Sequence, residues 1–264
     1  MKGKVLIVAG SDSGGGAGIQ ADLKTVTALG GYGMTAITAL TAQNTLGVHG
    51  VLGIDPAFVI RQIEVVLEDL GVDCVKTGML HSVPVIAAVV EGLSKTEAPL
   101  VVDPVMIAKG GASLLDPDST DLLKRGLISR ATVLTPNAPE AEALTGRRIA
   151  TLDDMRRAAD DLLTLGAKTV VLKGGHVPGA VVHDLVEGEA GSFVLESPRI
   201  ATSHTHGTGC TLASAIAAGI AQGMGLKAAI ERARAYVIKA IETAPGFGRG
   251  HGPLNHAHTV RDLG

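Results

Sequence analysis

The sequence has no tryptophan, 2 tyrosines, 3 phenylalanines and 2 cysteines in 264 residues. A core so poor in rings has to close on aliphatic side chains, and 46% hydrophobic residues supply enough of them for one large α/β unit. The two thiols stand in different settings, Cys74 in an apolar run and Cys210 among glycines. No disulfide framework is therefore expected, and the chain reads as cytoplasmic and reduced. Charge of one sign is also missing. With 23 Lys and Arg against 26 Asp and Glu, the formal net charge is −3 and no basic run exists, so nucleic acid is not an expected partner. Long apolar runs free of charge or glycine are absent, and Met1-Lys2-Gly3-Lys4-Val5 moves directly into a short strand. Neither a membrane partner nor a targeting segment is expected. The chain lacks G-x-x-x-x-G-K-[ST], which excludes nucleotide binding of the P-loop kind.

What the sequence has in quantity is glycine, 35 residues, set between short β-rich runs and longer helical ones. Strands are predicted at 4–9, 34–40, 74–77, 100–102, 132–134 and 169–173, with helices at 17–29, 57–69, 83–93, 119–125, 140–144 and 153–165 between them. That alternation predicts repeated βαβ units around a mostly parallel sheet. The rhythm then breaks at 181–187 and 192–196, separated by Gly188-Glu189-Ala190-Gly191, which predicts an antiparallel hairpin at one edge. Helices at 211–223 and 226–244 close the chain. With no repeat or linker, residues 1–264 are expected to form a single domain. The glycine and polar clusters all follow predicted strands, so they are expected to gather at the carboxyl edge of the sheet, where such folds bind ligands.

The most telling cluster is His204-Thr-His-Gly-Thr-Gly-Cys-Thr211, a glycine turn opening into an alanine-rich helix. Unpaired amides at a helix start favour a phosphate, and the same environment is expected to lower the pKa of Cys210 toward neutrality. The plain alternative is a helix capped by Thr208 with a structural cysteine. Gly10–Gly18 follows the first strand without the spacing of a dinucleotide fingerprint, and Asp12 and Asp22 border it. Asp103 ends a buried strand, and Asn137 and Glu140 follow the next one. Such oxygen donors suit Mg²⁺ with phosphates, although Asn137 and Glu140 also fit a helix capping box. Lys173 before Gly174-Gly175 places a cation where phosphate oxygens would sit, or snorkels at a strand end. His204 and His206 lack partners at zinc spacing. The His- and Gly-rich segment 249–258 could cover an active site or form a partly ordered tail and is assigned no chemistry of its own, and motion is expected at 109–112 and 174–179.

Together these segments resemble the ribokinase-like superfamily, and within it the hydroxymethylpyrimidine/phosphomethylpyrimidine kinases of thiamine biosynthesis. The resemblance runs nearly end to end. It rests on Gly14–Lys24, Ile37–Thr45, Lys76–Leu80, Asp103–Met106, Thr135–Ala141, Lys173–His176 and the turn His204–Thr211. It implies a three-layer α/β/α ribokinase-like fold and ATP and Mg²⁺ as cofactors. The implied acceptor is a hydroxymethylpyrimidine, phosphorylated to its monophosphate and then its diphosphate, and a homodimer is the implied assembly. Gln43 would bond the pyrimidine's polar edge, Asp22 would sit by its substituents, and Gly10, Met79 and Val105 would line its pocket. Asn137 and Glu140 would hold Mg²⁺ and the triphosphate, with Asp103 in support. Lys173, Thr208 and Gly209 would contact nucleotide phosphates, and Cys210 would be the base, backed by the Gly207–Cys210 amides. One departure is Ser-Gly-Gly-Gly after Asp12, where relatives often carry Pro-Ser-Gly-Gly. Some relatives with the same cysteine turn phosphorylate pyridoxal or pyridoxine, which remains an alternative substrate. Outside the kinases, Cys210 with a histidine could serve a hydrolase or acyltransferase without Mg-ATP, and the fold could also carry a non-catalytic binding protein.

Overall fold

The structure, a computed structural model, describes residues 1–106 and 117–260. Nine strands form one sheet in the order β3-β2-β1-β4-β5-β6-β7-β8-β9. They are β1 (Lys4–Asp12), β2 (Tyr32–Asn44), β3 (Gly47–Gly53), β4 (Cys74–Thr77), β5 (Leu100–Val102), β6 (Val133–Leu134), β7 (Thr169–Leu172), β8 (Val181–Gly188) and β9 (Phe193–Pro198). The middle strands, β2 through β7, pair in parallel, as the βαβ rhythm predicted. Val5–Ala9 of β1 is buried on both faces, which is why it reads as an unbroken apolar run instead of alternating.

Helices cover both faces. α1 (Gly18–Ala28), α7 (Thr208–Ala221) and α8 (Leu226–Glu242) pack one side around Val5, Ile7, Val101, Val133 and Val171. The other side carries α2 (Pro56–Asp69), α3 (Val83–Leu93), α4 (Pro117–Gly126), α5 (Ala138–Thr145) and α6 (Leu152–Thr164), around Leu6, Val8, Val75, Val102 and Leu134. Local chemistry sets their starts. Asp55 accepts from the Phe58 amide ahead of Pro56 at the head of α2, and Thr151 with Asp154 forms a capping box at α6. α7 is the central helix. Its residues Thr211 to Gly219 are all buried, and small side chains let it lie between the sheet and its neighbours α1 and α8.

The hairpin β8–β9 forms where the sequence predicted it, antiparallel to β7. At the opposite edge the structure adds an antiparallel strand that the sequence analysis missed. β2 runs on to Asn44, past the predicted end at Leu40, turns, and returns as β3. The signal was weak because β3 contains three glycines and is exposed along its whole length after Gly47. The parallel strand order reverses direction between β1 and β4, which opens a crevice beyond their carboxyl ends. The expected motion at 109–112 falls outside the described residues.

Candidate active site

Loops beyond β1, β4, β5, β6 and β7 and the start of α7 enclose a cavity of about 670 Å³. Gly10, Gln43, Met79 and Val105 line it, as the resemblance implied, joined by Val48 and Val51 of β3. Asp103, Asn137, Glu140, Lys173, Gly207, Thr208, Gly209 and Cys210 line it as well. The topology therefore brings every predicted site residue but one to a single cavity. The exception is Asp22. Its side chain is fully buried on α1, where it pairs with Lys76 Nζ at 2.8 and 2.9 Å and accepts from Ser214 Oγ at 2.6 Å. Asp22 thus stitches α1, β4 and α7 together beneath the cavity, and it is Lys76 that reaches the lining. An ionisable residue inside the short, buried strand Cys74–Thr77 was the available signal for Lys76.

The head of α7 starts three residues earlier than predicted and is not capped by Thr208. Gly207 is the cap residue, in the left-handed region at φ 83°, and a side chain there would run into the Gly16 carbonyl. The Thr208 hydroxyl turns away to donate to the Thr205 carbonyl at 2.8 Å. Among the described residues the Gly209 and Cys210 amides find no hydrogen-bond partner, so the helix presents free N–H groups to the cavity.

Cys210 sits in that first turn, and the Gly18 N–H at the head of α1 is near enough to favour its thiolate. Two helix starts therefore face one thiol. The expected lowering of its pKa is nevertheless overturned. Burial pushes the Cys210 thiol up to about 12, outweighing Lys76 and the Gly18 N–H, which favour the thiolate, while Asp22 and Asp103 add to the rise.

Next to it stands a charged trio. Lys173 Nζ lies 3.1 Å from Asp103 Oδ1, 3.9 Å from Glu140 Oε2 and 3.0 Å from where a side chain would begin at Gly209. Burial disfavours the Lys173 ammonium, but the Asp103 and Glu140 carboxylates hold its pKa above the ordinary value. The Thr135 hydroxyl donates to Asp103 Oδ1 at 3.2 Å. Asn137 and Glu140 do form the capping box of α5: each side chain accepts from the other's amide at 2.8 Å. Burial pushes the Glu140 carboxyl up to about 7 against the pull of Lys173, and Asp103 adds to the rise.

Two carboxylates thus share one ammonium, which leaves oxygen donors in excess of positive charge. Glu140 Oε1 and Asp103 Oδ2 have no hydrogen-bond partner among the described residues, so the donor set fits a Mg²⁺ ion that keeps water and takes phosphate oxygens. Among the described residues no three His, Cys, Asp or Glu side chains converge as a metal cage, although His176 and His206 line the cavity. His206 Nε2 lies 2.9 Å from Asp12 Oδ2, and Asp12 also accepts from the Gly14, Gly16 and Ala17 amides. Burial raises Asp12, yet His206 and these amides hold its pKa below the ordinary carboxylate value.

Two further contacts support the site. Arg199 donates to the carbonyls of Gly175, Val177 and Gly179, latching the loop after Lys173 where motion was expected. The C-terminal segment packs against the site: the His206 amide donates to the Gly252 carbonyl, and the His251 amide to that of Thr45. Of the two alternatives left open for it, a cover and a partly ordered tail, the structure shows the cover.

The sequence model of the phosphomethylpyrimidine kinase family matches residues 12–255. The chain is 54% identical, over 99% of its length, to the thiamine biosynthesis bifunctional protein ThiED of Geobacter sulfurreducens, and it spans 54% of that longer protein. It is 50% identical to the hydroxymethylpyrimidine/phosphomethylpyrimidine kinase of Bacillus subtilis, covering 96% of this chain and 94% of that one. A solved ADP complex of Bacillus subtilis pyridoxal kinase superposes with a TM-score of 0.90 at 38% identity, covering 97% and 98% of the two chains.

Proposed function

The chain belongs to the phosphomethylpyrimidine kinase family, and from that premise we propose that it phosphorylates a hydroxymethylpyrimidine with ATP, first to the monophosphate and then to the diphosphate, for thiamine biosynthesis. It is a phosphotransferase with the ribokinase-like fold. The observation that carries the reading is the uncapped start of α7 between the Asp103–Lys173–Glu140 trio and the ring-sized, largely apolar wall of Gly10, Met79 and Val105.

Lys173 and the free amides of Gly209 and Cys210 receive phosphate oxygens, and Thr208 and Asn137 border them. Their N–H groups are fixed before the reaction, so they stabilise developing phosphoryl charge without reorganising. Glu140 and Asp103 would hold Mg²⁺, which when bound neutralises charge on the phosphate oxygens. Gln43 faces the ring's polar edge. In the first round the acceptor hydroxyl attacks the γ-phosphorus, ADP leaves, and the hydroxyl proton passes to the small fraction of Cys210 held as thiolate, which burial keeps scarce. Lys76 and the Gly18 amide are the groups that favour that thiolate against burial. In the second round the acceptor is a phosphate, which near neutral pH already carries an oxygen without a proton. Cys210 is then needed less as a base, and a neutral thiol does not repel the charged acceptor as an aspartate would. A Cys210→Asp enzyme with an undiminished second round would contradict this account.

Among the described residues no helix is long and apolar enough to cross a membrane; the cytoplasmic location we propose rests on the likeness to the bacterial biosynthetic kinase of Bacillus subtilis. We also propose a homodimer. Exposed Leu46 and Leu52 at the β3 edge supply apolar surface for a second copy, and a monomer mass by light scattering would remove that proposal.

The deciding experiment incubates the protein with Mg-ATP and, separately, hydroxymethylpyrimidine, its monophosphate, pyridoxal and pyridoxine, with products read by ³¹P NMR or mass spectrometry. Both phosphates of the pyrimidine are expected. Phosphorylation of the pyridines alone would move the substrate to vitamin B6 compounds, and no ATP turnover with any acceptor would overturn the kinase.

A further inference from the structure

Gln43 lies at an irregular step of the β2–β3 ladder, where Ala42 pairs with Gly50 but Gln43 pairs with Val48. Such a step re-aims a side chain. Its backbone is pinned from both sides: the Ser13 hydroxyl donates to the Gln43 carbonyl at 3.0 Å, and the Gln43 amide returns a bond to Ser13 Oγ at 2.9 Å. Only the side-chain amide is left to turn. Two polar atoms flank it, Thr41 Oγ1 at 3.1 Å and His206 Nε2 at 3.3 Å.

Counting hydrogens decides which way the amide lies. Thr41 has one hydroxyl hydrogen and two acceptors in reach, the Ser11 carbonyl at 2.9 Å and Gln43 Oε1 at 3.1 Å; given to the nearer, it leaves the Thr41 oxygen only as an acceptor toward Gln43. Asp12 takes three backbone N–H groups and has no hydrogen to give, so the 2.9 Å contact requires His206 Nε2 to carry one. The orientation with the amide nitrogen toward His206 sets two donors against each other and two acceptors at Thr41. Turning the amide over relieves both conflicts: Oε1 then shares the one His206 Nε2 hydrogen with Asp12 Oδ2, and Nε2 donates to Thr41. The imidazole cannot swing to relieve the first conflict. Its ring lies so close to Gly16 that a side chain there would begin 2.5 Å from Cδ2, and its amide is held by Gly252.

We infer that His206 is a positioning residue that fixes the polarity of the Gln43 amide, and through it selects a ring whose edge carries an acceptor nitrogen beside an exocyclic amine over one with those roles reversed. The inference rests on the proposed pyrimidine reading, in which Gln43 faces the ring. An amide offers one acceptor and one donor side by side, so its orientation sets which edge it matches and which way the hydroxymethyl group points. A site built to bond polar groups rejects an analogue that leaves those groups facing like partners.

The test measures kcat/KM for two pyrimidine alcohols, one bearing the 4-amino group and one a 4-oxo group, whose ring N–H and carbonyl reverse the pattern. Wild type, His206→Leu and, from the other side of the amide, Thr41→Val are compared. Turnover of the amino compound by the wild type is the control: its absence would sink the pyrimidine reading and not the positioning argument. The wild type is expected to prefer the amino compound, and each variant to lose at least about tenfold of that preference through KM for the acceptor. A merely structural role lowers both rates together and leaves their ratio unchanged, which would overturn the inference. Should His206→Leu fail to fold, Thr41→Val alone decides: an unchanged ratio refutes it and a collapsed ratio supports it.

Discussion

Two helix starts face the same cavity and are finished in opposite ways. α5 closes on itself: Asn137 and Glu140 exchange side-chain to backbone bonds. α7 begins at a left-handed glycine, its threonine turns away, and its Gly209 and Cys210 amides stay unclaimed among the described residues. The difference teaches that a polar, glycine-rich helix start becomes an anion site only where the local side chains decline to cap it. A capped start keeps its amides to itself and can offer only the spare atoms of its side chains, as Glu140 does, whereas an uncapped start offers its amides.

The sharpest way to break this contrast is to remove the thiol. Cys210→Ala is expected to cut phosphorylation of the hydroxymethyl group by about 10²–10⁴-fold, while phosphorylation of the monophosphate falls by less than about tenfold. Equal losses in the two steps, followed by product analysis, would show that the thiol does not serve as the first-round base.

Giving the head of α7 a side chain comes next. Gly207→Ala meets both a left-handed backbone and the Gly16 carbonyl, and is expected to cost about 3 kcal/mol in urea unfolding and to weaken ATP binding. Unchanged stability would mean that the turn is not strained against side chains.

The segment that braces this turn supplies a pH test. His256 is buried against Thr25 and Tyr236, with Lys24 and His258 nearby, and burial holds its pKa down at about 4. A depressed folded value means the native state needs the neutral ring. Its stability is full above the unfolded value near 6.5 and is lost as pH falls through about 4, a change of roughly 2–3 kcal/mol. His256→Phe should flatten that part of the acid limb in thermal melts between pH 6.5 and 4, and an unaltered limb would assign the loss to other groups.

The smallest effect belongs to the closed helix. Asn137→Ala removes half of the capping box, with an expected loss of about 1 kcal/mol in chemical denaturation. If its KM for ATP rises by more than its stability loss accounts for, the backbone start of α5 also takes part in binding, beside the Glu140 carboxylate, and the contrast weakens.

Much of this was legible in the residues. The parallel core announced itself because strands buried on both faces are written as apolar runs such as Val5–Ala9, and each glycine cluster followed one of them. The β8–β9 hairpin was marked by its Gly188–Gly191 turn. β3 was hidden because a glycine-rich, exposed edge strand has no pattern to show. At the site, the capping box at Asn137 and the open turn at Gly207 looked alike in sequence, since both are short polar starts. Only the placement of Thr208 and Gly16 separates them. Asp22 and Cys210 were misread for one shared reason. Helical spacing gives the face a residue occupies but not its depth, and depth decides whether a carboxylate meets a ligand or a lysine, and whether a thiol ionises.

The Asp22–Lys76 pair also sets a schedule for the newborn chain. Asp22 and Lys76 leave the ribosome early, while Ser214, which completes their hydrogen bonding, follows on the order of ten seconds later at about 5–20 residues per second. Until α7 arrives, a charged pair meant for a dry interior stands in water with β4 still open beside it. The emerging enzyme therefore has no floor to its cavity until its last quarter is made, and a translation product that stops short of α7 cannot assemble the site at all.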